Sequence, residues 1–383
     1  MSARNVSSVC ATCPKLKIGR FLQGVVEWNE ISSPLSGLGD LLLCNGSPLT
    51  FVIANPDTVF TCPTCRALFT DTFHIPSMLG LKLDPYHLPS FYGEQRIFDS
   101  IGGLQGIATW FRSSTKETQL LSTGKAKHTW WFHIVATYWS ARSGNSTALL
   151  FHPDRLAQER LLRTYVLPII DSQDLVDAMQ GRSDPYYINA LFMESCVLLQ
   201  NLAVGSIHEL VRVVEKSRSA PCPGQDLTSF LRFQDSGRHG IQVRSRLESA
   251  INLAITLMAA HRDWMEFGST SNLATGYRRS VASRLSFCQS ALQSLLFRVN
   301  EHISRTGNEF QLAGNLASLE ITRTAAKEAE VMKTLSVLGT FFLAPTFVAA
   351  LFSTSFFTID DTGNCCITAL TIAYVVGHTI KRR

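Results

Sequence analysis

Residues 334–357 read TLSVLGTFFLAPTFVAALFSTSFF, and this stretch contains no charged side chain. As a helix it would span roughly 36 Å at 1.5 Å per residue, enough to cross a hydrocarbon core of about 30 Å with some tilt. A core helix of this length without a charged face would be unusual in a soluble protein. Pro345 in its middle is tolerated where neighbouring helices satisfy the freed carbonyl. The stretch therefore predicts a first transmembrane helix.

A second apolar run follows at residues 365–380, after a short polar link at residues 358–364. It is short for a complete span, but it suits the return leg of a hairpin that ends at a basic tail, residues 381–383. Basic residues are enriched on the cytosolic side of membrane segments. Three of them precede the first span: Arg323, Lys327 and Lys333. We therefore predict a multi-pass integral membrane protein that has the lipid bilayer as a partner and both termini in the cytosol.

Upstream of the membrane segments, the pattern of apolar residues changes near residue 155. Residues 1–155 contain short runs rich in β-branched and aromatic residues between turn formers, a pattern typical of a mixed α/β domain. The runs are 21–28, 49–54, 104–111, 129–139 and 148–151. Residues 156–333 instead carry apolar residues at helical spacing. The predicted fold is an α+β cytosolic domain, then long stalk helices, then a C-terminal two-helix transmembrane hairpin.

The clearest helical pattern lies just before the membrane segments. One apolar stripe runs at spacings of three and four through Leu285, Cys288, Leu292, Leu295, Val299 and Ile303. Residues 305–308, Arg-Thr-Gly-Asn, are a point where the helix could be interrupted. The pattern then resumes through Leu312, Leu316 and Leu319. We predict a long membrane-proximal stalk helix.

Composition excludes some classes of function. The net charge of +5 is mild, and no dense Lys/Arg block occurs before the tail, so nucleic acid is not an expected partner. No catalytic motif accompanies the scattered histidines and acids, and we predict that the chain is not an enzyme. Its ten cysteines favour a reducing compartment, and no cofactor is predicted.

The first predicted span has a weakly polar side, which we call the hydroxyl face. On a helical wheel its members occupy a little less than half of the circumference. They are Ser336, Thr340, Thr346, Ala350, Ser353 and Thr354. Such a face either lines a water-filled path or packs closely against another helix, and both readings stay open. In the following link, Asp360 and Asp361 either attract cations to an external mouth or only solvate the loop.

The stretch MKTLSVLGTFFLAPTFVAALFS, residues 332–353, resembles the CorA metal-ion transporter superfamily, and more closely its divergent fungal-type branch. The similarity lies in a Met-Lys pair, an apolar run, a Leu-Pro-Gly-Thr-Phe-Val-Ala-like turn and an aromatic-Ser close. The resemblance implies a homopentamer, a pore lined by the first span, a cytosolic stalk, and Mg²⁺ or a related divalent ion as cargo.

The chain departs from that family at one functional point. The Gly-Met-Asn signature at the outer end of the first span is missing, and Ser353, Thr354 and Ser355 stand in its place. Three hydroxyl groups could still face a hydrated Mg²⁺ ion, although as weaker ligands. The sequence thus leaves three alternatives: a CorA-like channel or transporter, a degenerate relative with a regulatory or interaction role, and an unrelated membrane-anchored domain.

Two C-x-x-C pairs are a separate candidate metal site. Cys10 with Cys13, and Cys62 with Cys65, could jointly supply four thiolates to a structural zinc ion. The gap between the pairs is much longer than the usual zinc-ribbon spacing. The alternative reading is that these cysteines are buried or free thiols.

Overall fold

The structure is a computed structural model of the chain. It describes residues 16–22, 25–31, 47–76, 90–120, 126–151, 159–170, 184–217, 227–267, 275–353, 357–359 and 365–367. The chain divides into two compact units, Met1–Phe310 and Gln311–Arg383. The predicted N-terminal sheet domain and the long helices after it are both present, and the chain carries a long C-terminal helix.

Seven strands of the first unit form one mixed sheet. They are β1 (Leu16–Leu22), β2 (Val25–Ile31), β3 (Leu49–Ala54), β4 (Phe91–Phe98), β5 (Leu104–Leu120), β6 (Ala126–Ser140) and β7 (Ser146–Phe151). Their spatial order is β2-β1-β3-β7-β6-β5-β4. β3 and β7 pair in parallel, and the other neighbours are antiparallel.

The described residues also form five helices and two short turns. The helices are α1 (Pro56–Thr61), α2 (Pro63–Phe73), α3 (Tyr187–Ser217), α4 (Leu227–Phe267) and α5 (Thr275–Ser353). A π-helical turn, Leu162–Val166, and a 3₁₀ turn, Leu167–Ile169, precede α3.

The two faces of the sheet bury two separate hydrophobic cores. β3 alternates between them, because successive side chains of a strand point to opposite faces. Phe51 packs in the larger core, which α3, α4 and the first part of α5 complete. Val52 packs in the smaller core with Phe69 of α2. All six residues of β3, and all six of β7, are buried, as expected for central strands covered on both sides.

The strand predictions are confirmed in part. The run 49–54 is a strand over its whole length, and the runs 104–111 and 129–139 are parts of the longer β5 and β6. The run 21–28 is not one strand, because β1 ends at Leu22 and pairs with β2 from Val25 onward. Strand β4 was not predicted, because its sequence, FYGEQRIF, lacks a simple apolar alternation.

The predicted stalk stripe is confirmed within α5. Its first five members, Leu285 through Val299, are buried in the larger core, and Ile303 packs against that core. The helix is not interrupted at residues 305–308. Arg305 there makes a two-pronged ion pair with Glu215 of α3, at 2.9 Å and 2.6 Å, which holds this turn in place. One interior glycine costs a helix only about 1 kcal/mol, so Gly307 does not break it.

The predicted transmembrane hairpin is only partly helical where the structure describes it. The described part of α5 runs to Ser353, and Phe357, the predicted end of the first span, lies in a strand. Short strands β8 (Phe357–Ile359) and β9 (Cys365–Ile367) then pair in antiparallel fashion. The predicted second span therefore begins as a strand, which its Cys-Cys-Ile-Thr sequence favours. Residues 368–380 of that span lie outside the described residues.

Candidate membrane-spanning segment and its hydroxyl face

The charge-free end of α5 is the candidate site. Residues 334–353 contain no charged side chain, and as a helix they measure roughly 30 Å. Nearly all of them are exposed on the single chain, and large apolar residues such as Phe341 are 74% exposed. A continuous apolar surface of this size needs a cover of lipid or protein. Its length matches the thickness of a hydrocarbon core.

A second helix of the described chain is also long and apolar enough to span a membrane. It lies at Tyr187–Lys216, within α3. Most of that helix is buried, and residues such as Phe192 pack against the sheet. Its apolar character is therefore explained by the larger core, whereas no described residue buries the apolar surface of residues 334–353.

Three hydroxyl groups of the face donate hydrogen bonds to the helix that carries them. Thr340 Oγ1 donates to the carbonyl of Ser336 at 2.9 Å, and Ser353 Oγ to that of Ala350 at 2.9 Å. Thr346 donates to the carbonyl of Phe342 in the turn that contains Pro345. A hydroxyl that donates its hydrogen inward turns its lone pairs outward. The face consequently presents hydrogen-bond acceptors.

Sequence reasoning missed two large side chains on the same arc. At 100° per residue, Leu343 and Phe347 fall between Thr340 and Thr346 on the wheel, and Gly339 falls there too. The hydroxyl face is therefore a series of small polar positions interrupted by two bulky apolar ones. In a water-filled path such positions would form a hydrophobic constriction.

Several predicted site residues lie outside the described residues. They are Thr354, Ser355, Asp360 and Asp361 at the end of the first span, and Cys10 and Cys13 near the N-terminus. The structure brings together the remaining members of the hydroxyl face only in the sense that they share one helix side. The roles of the signature-equivalent residues and of the acidic loop remain predictions.

The second cysteine pair lies at the start of α2. Cys62 is the residue before the helix, and Cys65 is buried within it. Over the ranges that the structure describes, no group of three or more His, Cys, Asp or Glu side chains is arranged to hold a metal ion. The four-thiolate zinc site would need Cys10 and Cys13, so it stays a prediction.

One of the scattered histidines, His133, is buried between the sheet and a helix. His133 of β6 places Nε2 3.0 Å from Ser195 Oγ and Nδ1 3.4 Å from Cys196 Sγ. Complete burial lowers the pKa of His133 to about 3 and raises that of Cys196 to about 12. His133, Ser195 and Cys196 therefore form a neutral packing contact between β6 and α3, and their burial keeps a substrate from reaching them.

Comparison with known proteins gives distant likenesses. No protein-family model matches the chain. It is 24% identical over 258 residues to the Notoamide biosynthesis cluster protein M′ of Aspergillus versicolor, covering 63% of this chain and 54% of that protein. The chain thus matches about half the length of this relative.

Two solved structures are similar over almost the whole chain, at low scores. One is the CorA magnesium transporter of Methanocaldococcus jannaschii, with a TM-score of 0.45, 11% identity and coverage of 94% and 93% of the two chains. The other is the full-length CmaX protein, with a TM-score of 0.41, 12% identity and coverage of 96% and 97%. Likenesses of this degree do not establish a family.

Proposed function

We propose that the chain is a CorA-like membrane protein that conducts a hydrated divalent cation, Mg²⁺ or a related ion, along the hydroxyl face of residues 334–353. The observation that carries the proposal is a charge-free helix of membrane length, exposed over its whole circumference, with acceptor oxygens on one side. The resemblance of residues 332–353 to the CorA superfamily supports the choice of ion.

The chemistry of the face suits a hydrated ion better than a bare one. Mg²⁺ gives up its water reluctantly, and the shell directs O–H groups outward. Thr340, Thr346 and Ser353 each donate their own hydrogen to a helix carbonyl, so their oxygens can accept from that shell. Leu343 and Phe347 would supply the narrow apolar point at which a path is gated.

A single helix cannot enclose a path, so the proposal includes self-assembly. The family resemblance implies a homopentamer with both termini in the cytosol. Exposed leucines precede the span in the second unit: Leu312, Leu316 and Leu319. Apolar residues at spacings of three and four are typical of helices that associate. In such an assembly, Asp360 and Asp361 would bring several carboxylates to the external mouth and concentrate cations there.

The test is Mg²⁺ influx into proteoliposomes that contain the purified protein and an internal fluorescent indicator. We expect voltage-driven uptake that cobalt hexammine, a mimic of hydrated Mg²⁺, blocks. Flux no greater than in empty vesicles, from an oligomer of verified integrity, would refute conduction.

Two neighbouring alanines provide a matched pair of variants. Ala350 lies on the hydroxyl face, and Ala349 lies about 100° around the helix, outside it. We expect Ala350→Leu to reduce influx at least about tenfold, because a bulky group would occlude the path. Ala349→Leu should leave influx near the wild-type rate. Equal effects of the two substitutions would show that this face does not line the path.

A second candidate function follows from the missing signature. Ser353, Thr354 and Ser355 replace the residues that bind the hydrated ion at the family's pore entrance. A degenerate relative would keep the fold and the membrane anchor but act in regulation or interaction, without transport. The relative from Aspergillus versicolor is named for a biosynthesis cluster, not for ion transport. A stable, folded assembly without flux would favour this function. In neither case do we propose an enzymatic activity.

A further inference from the structure

A buried lysine in the first unit makes no direct ion pair with a carboxylate in the described part of the chain. Lys116 of β5 is 4% exposed. Its Nζ lies 2.7 Å from His239 Nδ1 and also donates to Gln242 Oε1, both on α4. Both acceptors are neutral groups when Nδ1 of the imidazole is unprotonated. An ammonium taken out of water without a carboxylate in direct contact is costly, so this arrangement requires an explanation.

The surroundings of Lys116 add positive charge. The indole of Trp130 lies under two cations, with Lys116 Nζ at 5.7 Å and Arg246 Cζ at 5.4 Å from the ring centre. The nearby carboxylate of Asp235 already pairs with Arg238 and lies 3.4 Å from His239 Nε2. Burial, and next the charge of Arg238, lower the pKa of Lys116, and the charge of Asp235 offsets part of this effect. The carboxylate of Asp235 is therefore shared with Arg238 and His239, and Lys116 has no carboxylate in direct contact among the described residues.

Two buried hydroxyl groups flank Lys116 on the same side of β5. Residues two apart on a strand share a face, which places Ser114 and Thr118 beside it. Each is 1% exposed, and neither side-chain oxygen has a hydrogen-bond partner in the described structure. The residues opposite on β6 are Phe132, Trp130 and His128. Buried polar atoms are normally paired, so these hydroxyls indicate a missing acceptor or water.

We propose that this group, the Lys116 cluster (Lys116, Thr118, Trp130, His239, Gln242 and Arg246), binds a small tetrahedral oxyanion of the phosphate class. The anion would take the remaining ammonium hydrogen of Lys116 and lie beside the positive charge of Arg246. It would also accept from the hydroxyl of Thr118. Gln242 is exposed and Trp130 is half-buried, which leaves solvent access to the cluster. Charge-assisted hydrogen bonds of this kind are the stronger class.

The cluster belongs to the first compact unit, whereas the proposed ion path belongs to the second. Oxyanion binding therefore does not depend on whether residues 334–353 conduct. Oxyanion binding would give the first compact unit a role in the recognition of a small anionic metabolite. The sequence resemblance does not imply this role.

The experiment is a titration of the full-length protein in detergent with sodium phosphate, against sodium chloride at matched ionic strength. Tryptophan fluorescence and the midpoint of thermal unfolding are both measured. We expect a saturable fluorescence change and a rise in the midpoint with phosphate alone. Trp130→Phe should remove most of the fluorescence change but keep the shift in midpoint. A response no different from that to chloride would overturn the proposal.

Variants locate the site. Lys116→Met keeps the apolar stem of the side chain and removes the charge, and we expect it to weaken phosphate binding by about tenfold or more. Arg246→Met should weaken it similarly. The control is Arg244→Met, because Arg244 is exposed on the same helix and pairs with Glu248 at 2.9 Å. This variant should bind phosphate like the wild type.

If Lys116→Met fails to fold, Thr118→Val decides the question. It removes one hydroxyl without a change in side-chain shape, and we expect phosphate binding to weaken several-fold. Wild-type affinity in both Thr118→Val and Arg246→Met would place the anion elsewhere and overturn the assignment.

Discussion

Replacement of Asp184 tests the reasoning about buried polar pairs in the first unit. Asp184 Oδ2 lies 2.8 Å from His261 Nε2, and Oδ1 accepts the backbone N–H of Tyr186 at 2.8 Å. Both side chains of the Asp184–His261 pair are almost fully buried. The ring of Tyr186 packs edge-on against His261 at 5.3 Å. The carboxylate thus joins the start of α3 to α4.

The expected cost has two parts. Loss of a helix-start hydrogen bond typically costs about 1 kcal/mol. Loss of a buried hydrogen bond to a charged group, with its partner left unsatisfied, adds about 2–3 kcal/mol. We expect Asp184→Ala to reduce the free energy of unfolding by about 3–4 kcal/mol, near the range for a broken buried pair. Asp184→Asn keeps an acceptor for Tyr186 and should cost about half as much.

The assay is urea unfolding of a fragment of residues 1–310, which corresponds to the first compact unit. Circular dichroism at equilibrium gives the free energy of unfolding of each variant. The control is Asp263→Ala, since Asp263 is an exposed carboxylate on α4 close in sequence to His261. It should change stability by no more than about 0.5 kcal/mol. A loss below about 1 kcal/mol for Asp184→Ala would refute the argument.

Three further outcomes are expected. The fragment of residues 1–310 should stay monodisperse without detergent, whereas the full chain should need detergent. Size-exclusion chromatography checks this, and aggregation of the fragment would contradict an independent core. Burial raises the pKa values of Cys196 and Cys288 to about 12, so both thiols should resist a thiol reagent at pH 8 until the protein unfolds. The pKa of His133 is about 3 in the folded protein and 6.5 in the unfolded reference. Between these pH values the unfolded state binds more protons than the folded state. The free energy of unfolding therefore rises with pH in this window, by up to about 1.4 kcal/mol per pH unit. His133→Gln should flatten that rise in urea unfolding measured from pH 4 to 6.5; an unchanged slope would assign it to other groups.

The hydroxyl face shows how local geometry refines a sequence pattern. The wheel positions of Ser336, Thr340 and Thr346 follow from the period of the helix. The inward hydrogen bonds of Thr340 and Thr346, and the two bulky residues between them, change what the face offers to an ion. The outer end of the span was harder to predict, because Phe357, its predicted last residue, lies in a strand. Apolar content alone does not separate a helix from a short hairpin.

The sequence by itself determined the features that depend on neighbours along the chain. The stripe from Leu285 to Val299 and the charge-free run at residues 334–353 are helical patterns, and the run at residues 49–54 is a buried strand. Each follows from the spacing of apolar and charged side chains over a few turns or pleats.

Only the tertiary structure decided the contacts between residues far apart in sequence. β3 pairs in parallel with β7 across almost a hundred residues. Lys116 meets His239 at a sequence separation of 123, and Asp184 meets His261 at 77. These pairings depend on which faces of the sheet and helices pack together to bury apolar surface, and a single sequence does not encode that choice locally. The buried, positively charged cluster at Lys116 exists for this reason and leaves no motif in the sequence.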